Sequence, residues 1–467
     1  GRKVFRAGLR PEISRRLHGF NPREWRKMKR VLIVSPHFPP TNAADMHRVR
    51  MVLPFLRDNG WESEVVAVSP AAVAAPRDEW MASGLPPDVP IHRVEPPGLA
   101  WSAVPGLGTL GFRALPAIRA KGDELLAQGN FDLVYFSTTQ WPVHLAGPIW
   151  RKRHGIPFTM DYQDPWVNDY YRRHPEIVPP GGRLRYGVAA VLNRWMEPRV
   201  LRKCSGYTSV SRAYPRQLCE RYPWAADLPD AVIPFPGSER DFARVTTEVA
   251  KQTHFDPNDG KSHWVYVGRG GKDMETAARA FFTALAAQCS RDPALRGRIM
   301  LHFIGTSYAP AGKGRPSIAP VAAEFGLQDM VRESPDRIAY SETLRCLLDA
   351  DAILALCSND PGYTASKIYP CLLARKPLLA ICHRDSGVAQ VMADVGGGLC
   401  VTFGETDPLA GAAAAIERGW LGENGWERPE GLRTDRLAKY LEQDSAAQLV
   451  AFWERVLREE NAKKKTL

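Results

Sequence analysis

The sequence predicts an α/β protein made of two successive doubly wound domains. Short apolar runs rich in β-branched residues alternate with helical stretches, and this series occurs twice along the chain. A Pro/Gly-containing polar stretch around residues 234–262 separates the two series. At 467 residues, 44% of them hydrophobic, the chain also exceeds one ordinary core, and two domains are the natural division.

The first series opens with Val31-Leu32-Ile33-Val34, which ends in Ser35-Pro36. A Pro-rich loop then leads into a helical stretch with Val49, Val52, Leu53 and Leu56 on one face, stopped by Gly60. Further strands are expected over residues 64–68, 91–94, 133–136, 157–160, 207–210 and 231–233. Residues 70–115, rich in Pro, Gly and Ala, read as a loop with little regular structure. The second series has strands over 264–267, 299–304, 352–356, 378–381 and 399–401, and a helical pattern follows over 437–457. The divisions that result are a basic arm (1–30), a first domain (31–234), a linker (235–262), a second domain (263–432) and a C-terminal helix with a basic tail (433–467).

Charge is distributed unevenly along the chain. Residues 1–30 hold eleven Lys and Arg against Glu12 and Glu24, and Lys463, Lys464 and Lys465 add three more near the other end. The total is +11, so the body between them carries about −1, which argues against a nucleic-acid-binding surface. The basic ends, with Phe20 and Trp25 in the arm, suit contact with an anionic membrane surface, or a solvated arm. No apolar run approaches the roughly 18 residues of a bilayer-spanning helix, and residues 1–30 lack the apolar stretch of a secretory signal. The eight cysteines contain no C-x-x-C pair, so neither a zinc site nor a disulfide framework is expected, and a reduced cytoplasmic protein is the simple reading.

In open α/β sheets, ligands bind beyond the carboxyl ends of the strands, and four loops there stand out. Gly268-Arg269-Gly270-Gly271-Lys272 directly follows one strand and precedes a helix. Glycines admit a phosphate to the backbone, and Arg269 and Lys272 can neutralise a diphosphate; a tight turn with solvated basic side chains is the equal alternative. Ser366-Lys367-Ile368-Tyr369 follows the strand that ends near Cys357, and Ser366 is expected to cap a helix facing an anion. Asp161-Tyr162-Gln163-Asp164-Pro165-Trp166 places two carboxylates where they could bind sugar hydroxyls or orient a nucleophile, although Asp164 before proline also initiates turns. The loop from His37 through Asn42 to His47 and Arg48 faces the same way from the first strand.

Together these residues resemble the retaining nucleotide-sugar glycosyltransferases of the GT-B fold, family 4, in their polysaccharide branch. Residues 31–40 are similar to the family's opening strand and Pro-rich loop, and Gly155-Ile156-Pro157 through Trp166 to its acceptor-domain segment. Val232-Ile233-Pro234 resembles the crossing between domains, and residues 365–369 with 374–379 resemble the donor-site helix and the strand after it.

The resemblance implies two Rossmann-like domains facing across a cleft, with a C-terminal helix crossing back. It further implies a nucleotide sugar bound by Gly268, Arg269, Gly270, Lys272, Ser366, Lys367 and Tyr369, and chemistry assisted by Asp164, Arg269 and Lys272. A glycan or lipid-linked acceptor would meet His37, Asn42, His47, Arg48, Asp161 and Asp164. No metal and no cofactor beyond the donor are expected. Where the family commonly carries two glutamates, this chain has Gly362 and Pro370, and the histidine often found after the fourth strand has no counterpart in Ser137-Thr138-Thr139-Gln140 unless His144 reaches the site. A nucleotide-sugar epimerase and a non-catalytic binding protein are the alternative functions. A basic, aromatic segment over residues 169–183 would suit a lid or an exposed loop.

Overall fold

A computed structural model describes residues 28–97, 108–168, 172, 182–248, 250–309, 312–362, 366–422, 425–427 and 431–466. Most of the basic arm, with Phe20 and Trp25, and most of the expected lid segment lie outside these residues.

The first sheet has seven parallel strands: β1 (Lys29–Val34), β2 (Trp61–Val68), β3 (Ile91–Val94), β4 (Leu133–Ser137), β5 (Phe158–Tyr162), β6 (Gly206–Ser209) and β7 (Asp230–Val232). Their order is β3-β2-β1-β4-β5-β6-β7, so the winding reverses between β1 and β4, where Val31 stands opposite Leu133. The second sheet contains β8 (Ser262–Val267), β9 (Ile299–Ile304), β10 (Val331–Ser334), β11 (Ala352–Leu356), β12 (Leu378–His383) and β13 (Leu399–Phe403). It repeats the pattern as β10-β9-β8-β11-β12-β13, reversing between β8 and β11.

Both faces of each sheet are covered, which is why the central strands are continuous apolar runs rather than alternating ones. In β1, Leu32 and Val34 enter one core, and Val31 and Ile33 the opposite one. In β11, Leu354 and Leu356 face one way while Ile353 and Ala355 face the other.

The expected strands are present, with β10 in addition. Its sequence Val-Arg-Glu-Ser has one apolar residue, because it is an edge strand paired only with β9. Glu333 serves that edge by accepting the amides of Ser317, Ile318 and Ala319 at 2.8, 2.9 and 2.6 Å, at the start of a short helix.

The region expected as a loop over 70–115 carries more regular structure. Asp78 caps a helix over Glu79–Ser83, and a long helix begins at Leu110 and runs to Ala127. Gly122 in that helix permits the approach of Trp150, since a Cβ there would lie 2.1 Å from the indole ring. The linker likewise contains a helix over Glu239–Thr247.

The C-terminal helix, Glu442–Thr466, crosses back onto the first domain. Trp453 is fully buried there, with ring centroids 5.1 Å from Trp61 and 5.2 Å from Tyr135. Arg151 Nη2 donates to both carboxylate oxygens of Glu460 farther along, at 3.0 and 2.7 Å. Lys463, Lys464 and Lys465 form the last helical turn rather than a tail beyond it, where their charge complements the helix dipole.

The two chain crossings are stitched together. The Gly237 amide donates to Tyr440 O and the Glu442 amide to Gly237 O, and the Glu442 carboxylate accepts the amides of Glu239 and Arg240, both at 3.1 Å.

Candidate active site

The two reversal points open onto one cleft of 2520 Å³, lined by both domains. This is where doubly wound sheets bind ligands, because the loops diverge there and leave a crevice.

On the first wall, the loop after β1 places His37 against Asp45, Nδ1 to Oδ1 at 2.7 Å. Asp45 also accepts Thr138 Oγ1 at 2.9 Å and the Thr139 amide at 3.2 Å, from the loop after β4. Burial alone would push the His37 imidazole down, but the Asp45 charge and hydrogen bond outweigh it and hold it above its usual value. The same contacts overcome burial at Asp45 and hold its carboxyl low.

Asp164, after β5, opens on the cleft near this pair. Asp164 is exposed to the cleft, and its partial enclosure by protein, followed by the Asp45 charge, raises its carboxyl to about 6. Between them Gln163 donates through Nε2 to Ser137 Oγ and to Asp161, at 2.9 and 3.0 Å. Its Oε1 is buried, lacks a partner among the described residues, and belongs to a residue that lines the cleft.

Several expected acceptor residues sit elsewhere. Asp161 is fully buried and does not line the cleft. It accepts Arg48 Nε at 3.0 Å, Thr208 Oγ1 at 2.7 Å and Ser137 Oγ at 3.3 Å, so its lone pairs are spent inside the protein. Arg48 is equally buried; it donates to the carbonyls of Ile233 and Pro234 and stacks on Phe235 at 5.2 Å. These two residues tie the first domain to the crossing segment, and they correct the expectation of a surface that meets the acceptor.

His47 packs on Tyr340 of the second domain, 5.4 Å between centroids. Burial and then the Arg50 charge lower its pKa to about 3, so it is neutral at pH 7. Asn42 is held by its amide to Pro76 O at 2.8 Å, outside the cleft lining. His144 is fully buried, stacked on Phe136 and near Trp141 and Trp166, and does not reach the cleft.

On the second wall, Arg269 and Lys272 line the cleft in the turn after β8. Arg269 forms a forked pair with Asp273. Tyr266 donates to Arg269 O at 2.7 Å, and Lys367 donates to the Tyr266 hydroxyl while lying 4.5 Å from its ring. Glycine is needed at Gly271, whose φ of +132° is rare for any other residue, while a Cβ on Gly268 would lie 2.8 Å from the movable Lys367 Nζ. Lys367 thus braces the turn from behind, and neither it nor Gly268 nor Gly270 lines the cleft.

Ser366 and Tyr369 do line it. Ser366 makes no cap, contrary to expectation: Lys367 holds the N-cap position of the helix Ile368–Leu373, which has no side-chain cap bond. Tyr369 stacks on Tyr440 at 5.6 Å, and burial raises its phenol. Gly362 also lines the cleft, its amide donating to Asp360 Oδ1 at 2.8 Å, so a carboxylate stands two residues before it.

Asp45, Gln163, His383 and Arg384 were not among the expected site residues. His383 ends β12, lines the cleft while largely buried, and has no partner at Nε2 among the described residues. The strand-end rule that found the other loops applies equally to β12, so these two were legible; Asp45 carries no signal of its own in the sequence.

Residues 47–233 match the family described as glycosyl transferase 4-like domain. No curated protein matches the chain. Among solved structures, Anabaena Alr3699/HepE in complex with UDP-glucose is 14% identical with a TM-score of 0.53, covering 93% of this chain and 99% of its own. The lipopolysaccharide outer core galactosyltransferase WaaB is similar at 14% identity and TM-score 0.51, over 91% and 100%. The α,α-trehalose 6-phosphate synthase of Burkholderia multivorans reaches 0.56 at 12% identity, over 94% and 98%. The fold is therefore GT-B, and the resemblance to GT-B glycosyltransferases holds.

Two outcomes follow from this geometry. Replacing Arg48 by Met strands a buried carboxylate and is expected to cost about 3–5 kcal/mol in urea unfolding, whereas Arg48→Met with Asp161→Asn costs much less. In a carboxyl titration followed by NMR, Asp164 is expected to titrate near 6. Its midpoint falls in Asp45→Asn, because removing a like charge favours the ionised form.

Proposed function

We propose that the protein transfers a sugar from a nucleotide-sugar donor, held on the second domain, to a glycan or lipid-linked hydroxyl held on the first. The observation that carries this reading is the pairing of walls in one cleft. Arg269, Lys272 and Ser366 stand on one side, and Asp164 with the His37–Asp45 pair on the other. Cations and a hydroxyl suit the diphosphate, whose negative charge grows as the anomeric C–O bond breaks. Carboxylates suit sugar hydroxyls, and Asp164 is the group positioned to orient the attacking oxygen.

In the proposed step the bond between the anomeric carbon and the diphosphate oxygen breaks, and its electron pair stays on the diphosphate. The acceptor oxygen forms the new bond and its proton passes to the departing phosphate oxygen. Attack on the face that the leaving group vacates retains the anomeric configuration, as the family resemblance implies. Arg269 and Lys272 carry the leaving-group charge, so the reading is metal-independent. Surface polysaccharide assembly at the cytoplasmic side of a membrane is the setting proposed for it.

UDP is the first probe, since HepE is described with UDP-glucose. Saturating UDP is expected to raise the Tm through the mass-action term, about 2.7 kcal/mol at a hundredfold excess over Kd. Lys272→Ala is expected to weaken binding about tenfold or more. No shift with any nucleoside diphosphate or nucleotide sugar at millimolar concentration would end this reading. Conversion of the donor to a second nucleotide sugar without acceptor would mark an epimerase instead.

A further inference from the structure

Of the five large apolar side chains exposed among the described residues, four lie on one helix, Arg183–Leu201. Leu184 is 81% exposed, Val191 69%, Trp195 51% and Val188 39%. At about 100° per residue they fall within about 60° of one another around the axis, in a single stripe. The opposite face is ordinary core: Met196, Val200 and Leu201 are buried, and Leu192 packs against them. The stripe is therefore a second apolar face on a helix whose first is already used.

Its flanks are basic. Arg183 and Arg194 are exposed on one side and Arg185 on the other, with Arg199 over the Trp195 ring at 4.2 Å. The helix has one acid, Glu197, which is buried and paired with Arg221 at 3.1 Å. The exposed face of this helix thus carries aliphatic groups, a tryptophan and arginines.

We infer that this face docks on an anionic lipid bilayer, the helix lying in the plane of the interface. Aliphatic side chains enter the boundary of the acyl region, Trp195 sits at headgroup depth, and the arginines meet phosphates. No helix among the described residues is long and apolar enough to cross a membrane, so this is surface attachment. A second copy of the chain is a poor occupant, because a two-fold contact through this face would set arginines against arginines. Arg194 also lines the cleft, so docking brings the cleft rim to the membrane. On the transferase reading, a lipid-linked acceptor would enter there; the docking itself does not depend on that reading.

Co-sedimentation of the full chain with phosphatidylcholine vesicles, with and without phosphatidylglycerol, tests this. Binding is expected only with the anionic lipid, to weaken with salt, and to fall at least tenfold in Leu184→Ser/Val191→Ser/Trp195→Ala at unchanged Tm. Val191→Glu alone gives the same test with a single exposed substitution. Equal binding of the variants would assign attachment to the terminal charges and overturn the inference. So would absence of vesicle binding by the unaltered chain, or a dimer in sedimentation velocity that the substitutions dissolve.

Discussion

The buried guanidinium of Arg48 holds together three pieces of chain that must meet for a cleft to exist. It comes from the helix after β1, reaches the carboxylate of Asp161 at the end of β5, and closes on the carbonyls where the chain leaves the first domain. A buried pair of this kind adds little net stability over apolar packing, since desolvation offsets much of the attraction. Its value is geometric: with five fixed donors, Arg48 allows few arrangements of the loop after β1, β5 and the crossing segment. Arg50 repeats the device two residues on, pairing with Asp241 of the linker helix at 3.0 and 2.7 Å and lying over Tyr340 of the second domain. The junction therefore runs through charged groups that face inward, and the cleft walls are positioned by it.

Those walls divide the chemistry. The first domain concentrates carboxylates that differ in environment: Asp45 is held ionised by His37 and two threonines, while Asp164 is raised by partial enclosure in the cleft and by Asp45 itself. The second domain presents cations on a turn whose shape is set by Tyr266 and braced by Lys367. A wall that orients a hydroxyl facing a wall that neutralises charge is what the proposed group transfer needs.

The strands were legible because both faces of each sheet are buried, which makes Val31–Val34 or Ala352–Leu356 unbroken apolar runs. β10 was not, since an edge strand that gives its side chains to a loop, as Glu333 does, need not be apolar. The site was half legible. Loop position after a strand identified Arg269, Lys272, Ser366 and Asp164 as lining residues, yet it could not distinguish a charge that faces the cleft from one that faces the junction. Arg48 and Asp161 look like binding residues in the sequence and turn out to be each other's partners. Lys367 misleads in the same way, because the residue that supports a phosphate-sized turn has the same identity as one that would touch the phosphate.

The account stands on the donor occupying the second wall. Hydrogen–deuterium exchange of the full chain with and without UDP-glucose measures this directly. Protection is expected in residues 268–274 and in the described residues of 358–370, with little change across β1–β5. Protection confined to the first domain, or none at saturating ligand, would contradict it.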